Sequence, residues 1–186
     1  MEAERASFAL IPATGAESIA EADVLIRKIR EIREGQPIPG LADLLDGLSA
    51  DYGSVISVDS EVTAYGALIS VEEPELGPLN DILMATKDCA IAVFDIALSR
   101  LYNPRGSVDI EVVLGGDCAL PYLTAQLLDD LVRRPTWPDP GSPFLIVARD
   151  GEDYIQTYLQ DDGYYDLEYR DGSFEKHYDF THLMQA

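Results

Sequence analysis

Residues 144–180 read FLIVARDGEDYIQTYLQDDGYYDLEYRDGSFEKHYDF. Three Asp-Gly pairs, Asp150-Gly151, Asp162-Gly163 and Asp171-Gly172, divide this stretch into short runs of alternating apolar and polar residues. Asp-Gly between such runs signals a hairpin, because both residues tolerate the positive φ of a tight turn. The stretch therefore predicts four strands in a C-terminal β-meander. In the second strand alternation places Ile155, Thr157 and Leu159 opposite Tyr154, Gln156, Tyr158 and Gln160. In the third it places Tyr165, Leu167 and Tyr169 opposite Tyr164, Asp166, Glu168 and Arg170. In the fourth, Phe174, Tyr178 and Phe180 oppose Glu175, His177 and Asp179, while Lys176 falls among the apolar positions, as an edge-strand guard would.

One face of the meander thus reads as core and the other as Tyr, Gln, Asp, Glu and His. A solvated outer face accounts for the second set. Tyrosine on an acidic sheet is also good interface material, since it offers area at low entropic cost. The candidate partner-binding residues are Tyr154, Gln156, Tyr158, Tyr164, Asp166, Glu168 and His177. Trp137, the single tryptophan, joins them as an aromatic anchor if it does not cap the core.

Upstream, residues 8–12 predict a short strand ending at Pro12, a pattern suited to a sheet edge. Residues 15–33 predict a helix with acids first and bases last, which complements the helix dipole. A second helix over 41–50 buries Leu41, Leu44, Leu45 and Leu48, and residues 55–58 and 62–71 form a hairpin. A third helix spans 76–87, with Pro78 tolerated in its first turn. Residues 89–94 are continuously apolar and predict a central strand, 108–114 another strand, and 120–134 a helix.

Four prolines in residues 135–143 make that segment a stiff connector. The order of elements gives an α+β fold: a mainly antiparallel sheet with helices packed on one face, ending in a C-terminal β-meander. Its expected parts are an α+β body over 1–134, the proline-rich connector 135–143, and the meander 144–186 packed with the body as a single domain.

The charge narrows the function classes. The chain carries 34 acidic and 13 basic residues, net −21, with 47% hydrophobic residues, a folded-protein composition. From residue 35 to 86 there are nine acids and neither Lys nor Arg. Nucleic acid and anionic membrane surfaces need the opposite sign, so a basic protein partner is favoured. The N-terminal residues show no secretory leader and no apolar run has the length of a membrane span, so a cytoplasmic protein with reduced, buried cysteines is expected. Pairing of Cys89 with Cys118 stays open.

No catalytic, cofactor or metal site is expected. Gly-rich phosphate loops are missing, and two cysteines with two histidines are too few for a zinc site of standard spacing. Cys118 has Asp117 beside it, which opposes thiolate formation. The acid pairs Glu72-Glu73, Asp129-Asp130 and Asp161-Asp162 read as solvated charge. His177 with Glu175 and Asp179 on one strand face is a conceivable metal or acid–base cluster, with solvated charge again the plainer reading.

The Phe8-x-Leu10 strand, the long helix, the helix over 41–48, and the run Ala90-Ile91-Ala92-Val93-Phe94-Asp95 followed by Tyr102-Asn103-Pro104 together resemble the small α+β immunity proteins found beside bacterial toxins. The resemblance is one of layout over residues 6–114 and excludes the meander. It implies a cytosolic protein that blocks a cognate toxin and carries no catalytic residues. Three readings follow: an immunity protein that inhibits a toxin enzyme, a peptide- or protein-binding chaperone or adaptor, and an enzyme of unrecognised class.

Overall fold

β1 (Arg5–Pro12) lies at the centre of the first of two sheets, in the order β2-β3-β1-β4-β5. In this computed structural model, which describes residues 5–32, 34–72, 76–108, 110–115, 118–134, 143–150 and 152–181, β1 pairs antiparallel with β3 (Ala67–Glu72) and β4 (Ile91–Asp95). β2 (Ile56–Val58) and β5 (Arg100–Tyr102) complete the sheet. The edge position expected from Pro12 is corrected. Pro12 is the last residue of the strand, opposite Ile91, and the next amide, Ala13, donates to the Ala90 carbonyl at 2.9 Å. The proline removes one donor at a strand end and leaves the ladder intact.

Phe8, Ala9, Leu10 and Ile11 are all buried, which requires cover on both faces of the sheet. α1 (Ile19–Glu31) begins at Ser18, whose side chain accepts from the Glu21 amide at 3.3 Å. It packs Ala22, Ile26 and Ile29 against Ala9, Ile11, Ala92 and Phe94. The opposite face, with Phe8, Leu10, Ile69, Val71 and Val93, is buried too. α2 (Leu41–Tyr52) and α3 (Leu76–Lys87) contact β2, β4 and each other, and bury Leu41, Leu45, Leu48, Ile82 and Leu83. Helices on one face were expected; the unbroken apolar run of β1 needs both.

Asn103, buried at the end of β5, donates to the carbonyls of Ala13 and Ala16 at 3.0 and 2.8 Å, and fixes the loop that enters α1. Asp95 and Arg100 are buried register partners on β4 and β5. Burial pushes the Asp95 carboxyl up, against the amides of Leu98 and Ala97 and the Arg100 charge, which hold it down.

The chain divides into two units between Arg105 and Gly106. The second sheet has the order β11-β10-β9-β8-β6-β7, every pair antiparallel. Its strands are β6 (Glu111–Leu114), β7 (Cys118–Leu120), β8 (Phe144–Asp150), β9 (Asp153–Leu159), β10 (Tyr165–Asp171) and β11 (His177–Phe180). Residues 108–134 were assigned to the body, yet Leu114 pairs with Leu145 and Val112 with Val147. The meander therefore continues into β6 and β7, and the sheet boundary precedes the proline-rich segment. α4 (Ala125–Arg133) is shorter than expected because residues 118–120 are spent on β7, and Thr124 caps it by accepting from the Leu127 amide at 3.2 Å.

Two described turn glycines, Gly163 and Gly172, have φ of +82° and +71°, as the Asp-Gly signal requires. The last hairpin differs from expectation: a 3-10 turn over Phe174–Lys176 delays β11 to His177. No helix among the described residues is long and apolar enough to cross a membrane. Both cysteines are free; Cys118 is buried as expected, whereas Cys89 is exposed in the turn before β4. Trp137, Gly151, and residues 135–142 of the connector lie outside the described residues.

Candidate functional site

The register of β8 to β11 fixes which side chains share a face. On one, Val147, Ile155, Tyr169 and Tyr178 form a row across four strands, beside the row Leu145, Thr157, Leu167 and Phe180. On the other, Ile146, Gln156, Glu168 and Asp179 form a row, flanked by Ala148, Tyr154, Arg170 and His177. The alternation predicted for β9 and β10 is observed. The faces are not, however, a buried one and a bare one.

The apolar face is core at its β6–β8 end and at Tyr165 of β10. Val112, Leu114, Leu120, Leu145 and Tyr165 are buried there with Leu127 and Leu131 of α4, and the Tyr165 hydroxyl donates to the Val132 carbonyl at 3.0 Å. Burial raises the Tyr165 phenol above its ordinary range. Towards β11 the cover ends. Ile155, Tyr169, Tyr178 and Phe180 are 44, 37, 49 and 45% exposed, which corrects the expectation that Ile155, Tyr169 and Tyr178 point into the core. Tyr169 and Tyr178 stack with ring centroids 6.2 Å apart, so each shields part of the other.

The polar face is more ordered than a solvated surface. Tyr154, Gln156, Tyr164, Asp166, Glu168 and His177 are half-buried, and Tyr158 is exposed. They cover one another through hydrogen bonds. The Tyr154 hydroxyl donates to Glu168, and Gln160 Nε2 donates to Asp166. The carboxylate of Glu168, accepting that proton, holds the Tyr154 phenol above its ordinary range. His177 Nε2 lies 2.8 Å from Glu168 Oε1 and 3.5 Å from Asp179 Oδ1, and Arg170 pairs with Glu152. A depression of about 230 Å³ beside this network is lined by Gln156, Tyr158, Asp166, Glu168 and Asp179, among others.

Seven of the eight candidate residues thus belong to one sheet unit, and the eighth, Trp137, lies outside the described residues. Of the two partners the sequence suggested for His177, Asp179 stands 3.5 Å away and Glu175 is replaced. Glu175 belongs to the 3-10 turn, and Glu168 from the neighbouring strand takes its place. Only the β10–β11 register reveals that pairing. Cys118 sits on the opposite, apolar side of this sheet, where burial pushes it up to about 11. Set against protein-family models, curated proteins and solved structures, the chain matches none.

Proposed function

We propose that this is a non-enzymatic cytosolic binding protein whose polar sheet face takes a basic protein partner, and that the partner is a toxin enzyme which it inhibits. The observation that carries this reading is the hydrogen-bonded layer of tyrosines and acids on β9–β11. Carboxylates already held by Tyr154 and Gln160 lose less freedom on binding than bare surface acids do. The net charge of −21 supplies the long-range attraction for a basic surface. Tyr158, exposed at the rim of the depression, supplies an aromatic contact.

The exposed row Ile155, Tyr169 and Tyr178 favours a second use, as a chaperone or adaptor that holds an apolar segment without inhibiting anything. The product of the adjacent gene separates the two. Expressed alone it should arrest growth, and co-expression of this protein should restore it. Tyr158→Ala with Asp166→Lys should weaken the complex roughly 30-fold or more, the effect of losing one hot spot of about 2 kcal/mol, while the far-UV spectrum stays unchanged. Full protection by that double variant would remove the polar face from the reading. A harmless neighbour that still binds would favour the chaperone.

A further inference from the structure

Glu168 on β10 stands directly opposite Asp179 on β11, on the same face of the sheet. Two carboxylates in that position repel each other and weaken the pairing of an edge strand. Arg170, the register partner of His177, pairs with Glu152. What does reach between them is the imidazole of His177, with Nε2 at 2.8 Å from Glu168 Oε1 and 3.5 Å from Asp179 Oδ1. One donor atom from each of the three residues lies within 4.8 Å of the others.

From this juxtaposition we propose a divalent transition-metal site formed by Glu168 Oε1, His177 Nε2 and Asp179 Oδ1. An ion about 2.0–2.2 Å from each donor needs donors some 3–3.6 Å apart in a tetrahedral arrangement. The present separations from His177 Nε2, 2.8 and 3.5 Å, are close to that spacing. The donor set is mixed, one imidazole nitrogen with two carboxylate oxygens. That combination suits zinc or manganese; calcium takes oxygen donors alone, and copper(I) prefers sulfur.

Two further features fit a built site. All three donors come from paired strands, a more rigid support than a loop. The Tyr154 hydroxyl donates to Glu168 and orients its carboxylate, the kind of outer contact that fixes metal ligands. The adjoining depression, lined by Gln156, Asp166, Glu168 and Asp179, leaves an open side for water or for a donor from another molecule. A bound cation would offset the repulsion between Glu168 and Asp179 and pin β11 to the sheet. The site shares Glu168 and His177 with the face proposed to bind a partner, but metal uptake is read on the isolated chain without that partner.

The test uses the full chain freed of metal with a chelator and titrated calorimetrically with zinc chloride and, separately, manganese chloride. One equivalent of at least one ion should bind per chain. His177→Ala should abolish that step, and Tyr154→Phe should weaken it roughly 10–100-fold, as loss of an outer contact does. Glu175→Gln, an acid beside the cluster but outside it, should bind as the wild type does. Cobalt(II) should give visible d–d bands that vanish in His177→Ala, with all three variants checked for an unchanged far-UV spectrum. Equal uptake by wild type and His177→Ala would mean diffuse counterion binding to an acidic surface and would overturn the proposal. So would failure of both ions to bind.

Discussion

Cys118 lies on β7 with its side chain on the buried face of the second sheet, and burial alone pushes its thiol up to about 11. The thiolate is the reactive form, so Cys118 is both shielded and chemically quiet near neutral pH. Cys89 is exposed, its Sγ donating to the Ala85 carbonyl at 3.3 Å. A chromogenic disulfide at pH 8 should therefore titrate one thiol rapidly in the native protein and the second only in denaturant. Two fast equivalents would mean that the β7 edge opens readily. The same shift gives a pH dependence. An unfolded cysteine ionises near about 8.5, so between there and about 11 the unfolded chain binds fewer protons than the folded one. Stability falls as pH rises through that window and is unaffected below it. Cys118→Ala should remove that share of the slope in urea midpoints measured across the window. The sequence makes both cysteines look buried, since Cys89 opens an apolar run. Ala90, at φ +53°, turns the backbone there, so the strand starts at Ile91 and leaves Cys89 outside.

At the scale of elements, what was legible was local. The Asp162-Gly163 turn is closed by its own atoms: the Asp162 carboxylate accepts from the Tyr164 amide at 3.1 Å and Gly163 supplies positive φ. α3 follows its expected bounds from residue 76 to 87 because its apolar spacing and terminal lysine lie within one segment. β5 and β7, three residues each, are too short to show alternation, and only their neighbours define them. The turn from Thr63 to Gly66 is of the same kind. Thr63 Oγ1 donates to the Gly66 carbonyl at 3.1 Å and accepts from the Tyr65 amide at 3.1 Å. Gly66, at φ +129°, brings its backbone against β1, and a Cβ there would fall 2.0 Å from the Leu10 carbonyl oxygen. Backbone cannot retreat as a side chain can. Gly66→Ala should cost at least about 2 kcal/mol, from left-handed strain and the clash together. A urea melt reads this directly; an unshifted midpoint would mean that the turn does not press on β1.

At the scale of the whole molecule, the sheets were less legible than their strands. β6 meets β8 across the whole of α4 and the proline-rich segment, and nothing in either strand names the other. The candidate face was readable as alternation, but its hydrogen-bonded state and the Glu168–His177–Asp179 juxtaposition depend on cross-strand register. Charge, by contrast, needs no fold to be counted. Residues 1–105 hold 18 acids and 8 bases, and residues 106–186 hold 16 and 5, so the two units carry −10 and −11. Attraction at a distance is thus a property of the whole chain, while the proposed function gives selectivity to the tyrosines of one face. The two contributions separate kinetically with the proposed partner. Raising salt from 0.05 to 0.5 M should slow association about 10-fold or more and leave dissociation nearly constant, since exposed charges are screened beyond roughly 10 Å. Asp43→Asn, Asp46→Asn and Asp51→Asn together remove three exposed acids of α2 and should likewise lower the association rate alone. Tyr158→Ala should do the reverse, speeding dissociation with little change in association. Stopped-flow measurement of both rates decides it. If the α2 triple variant instead speeds dissociation, the acids of the first unit touch the partner, and the interface is not confined to the β9–β11 face.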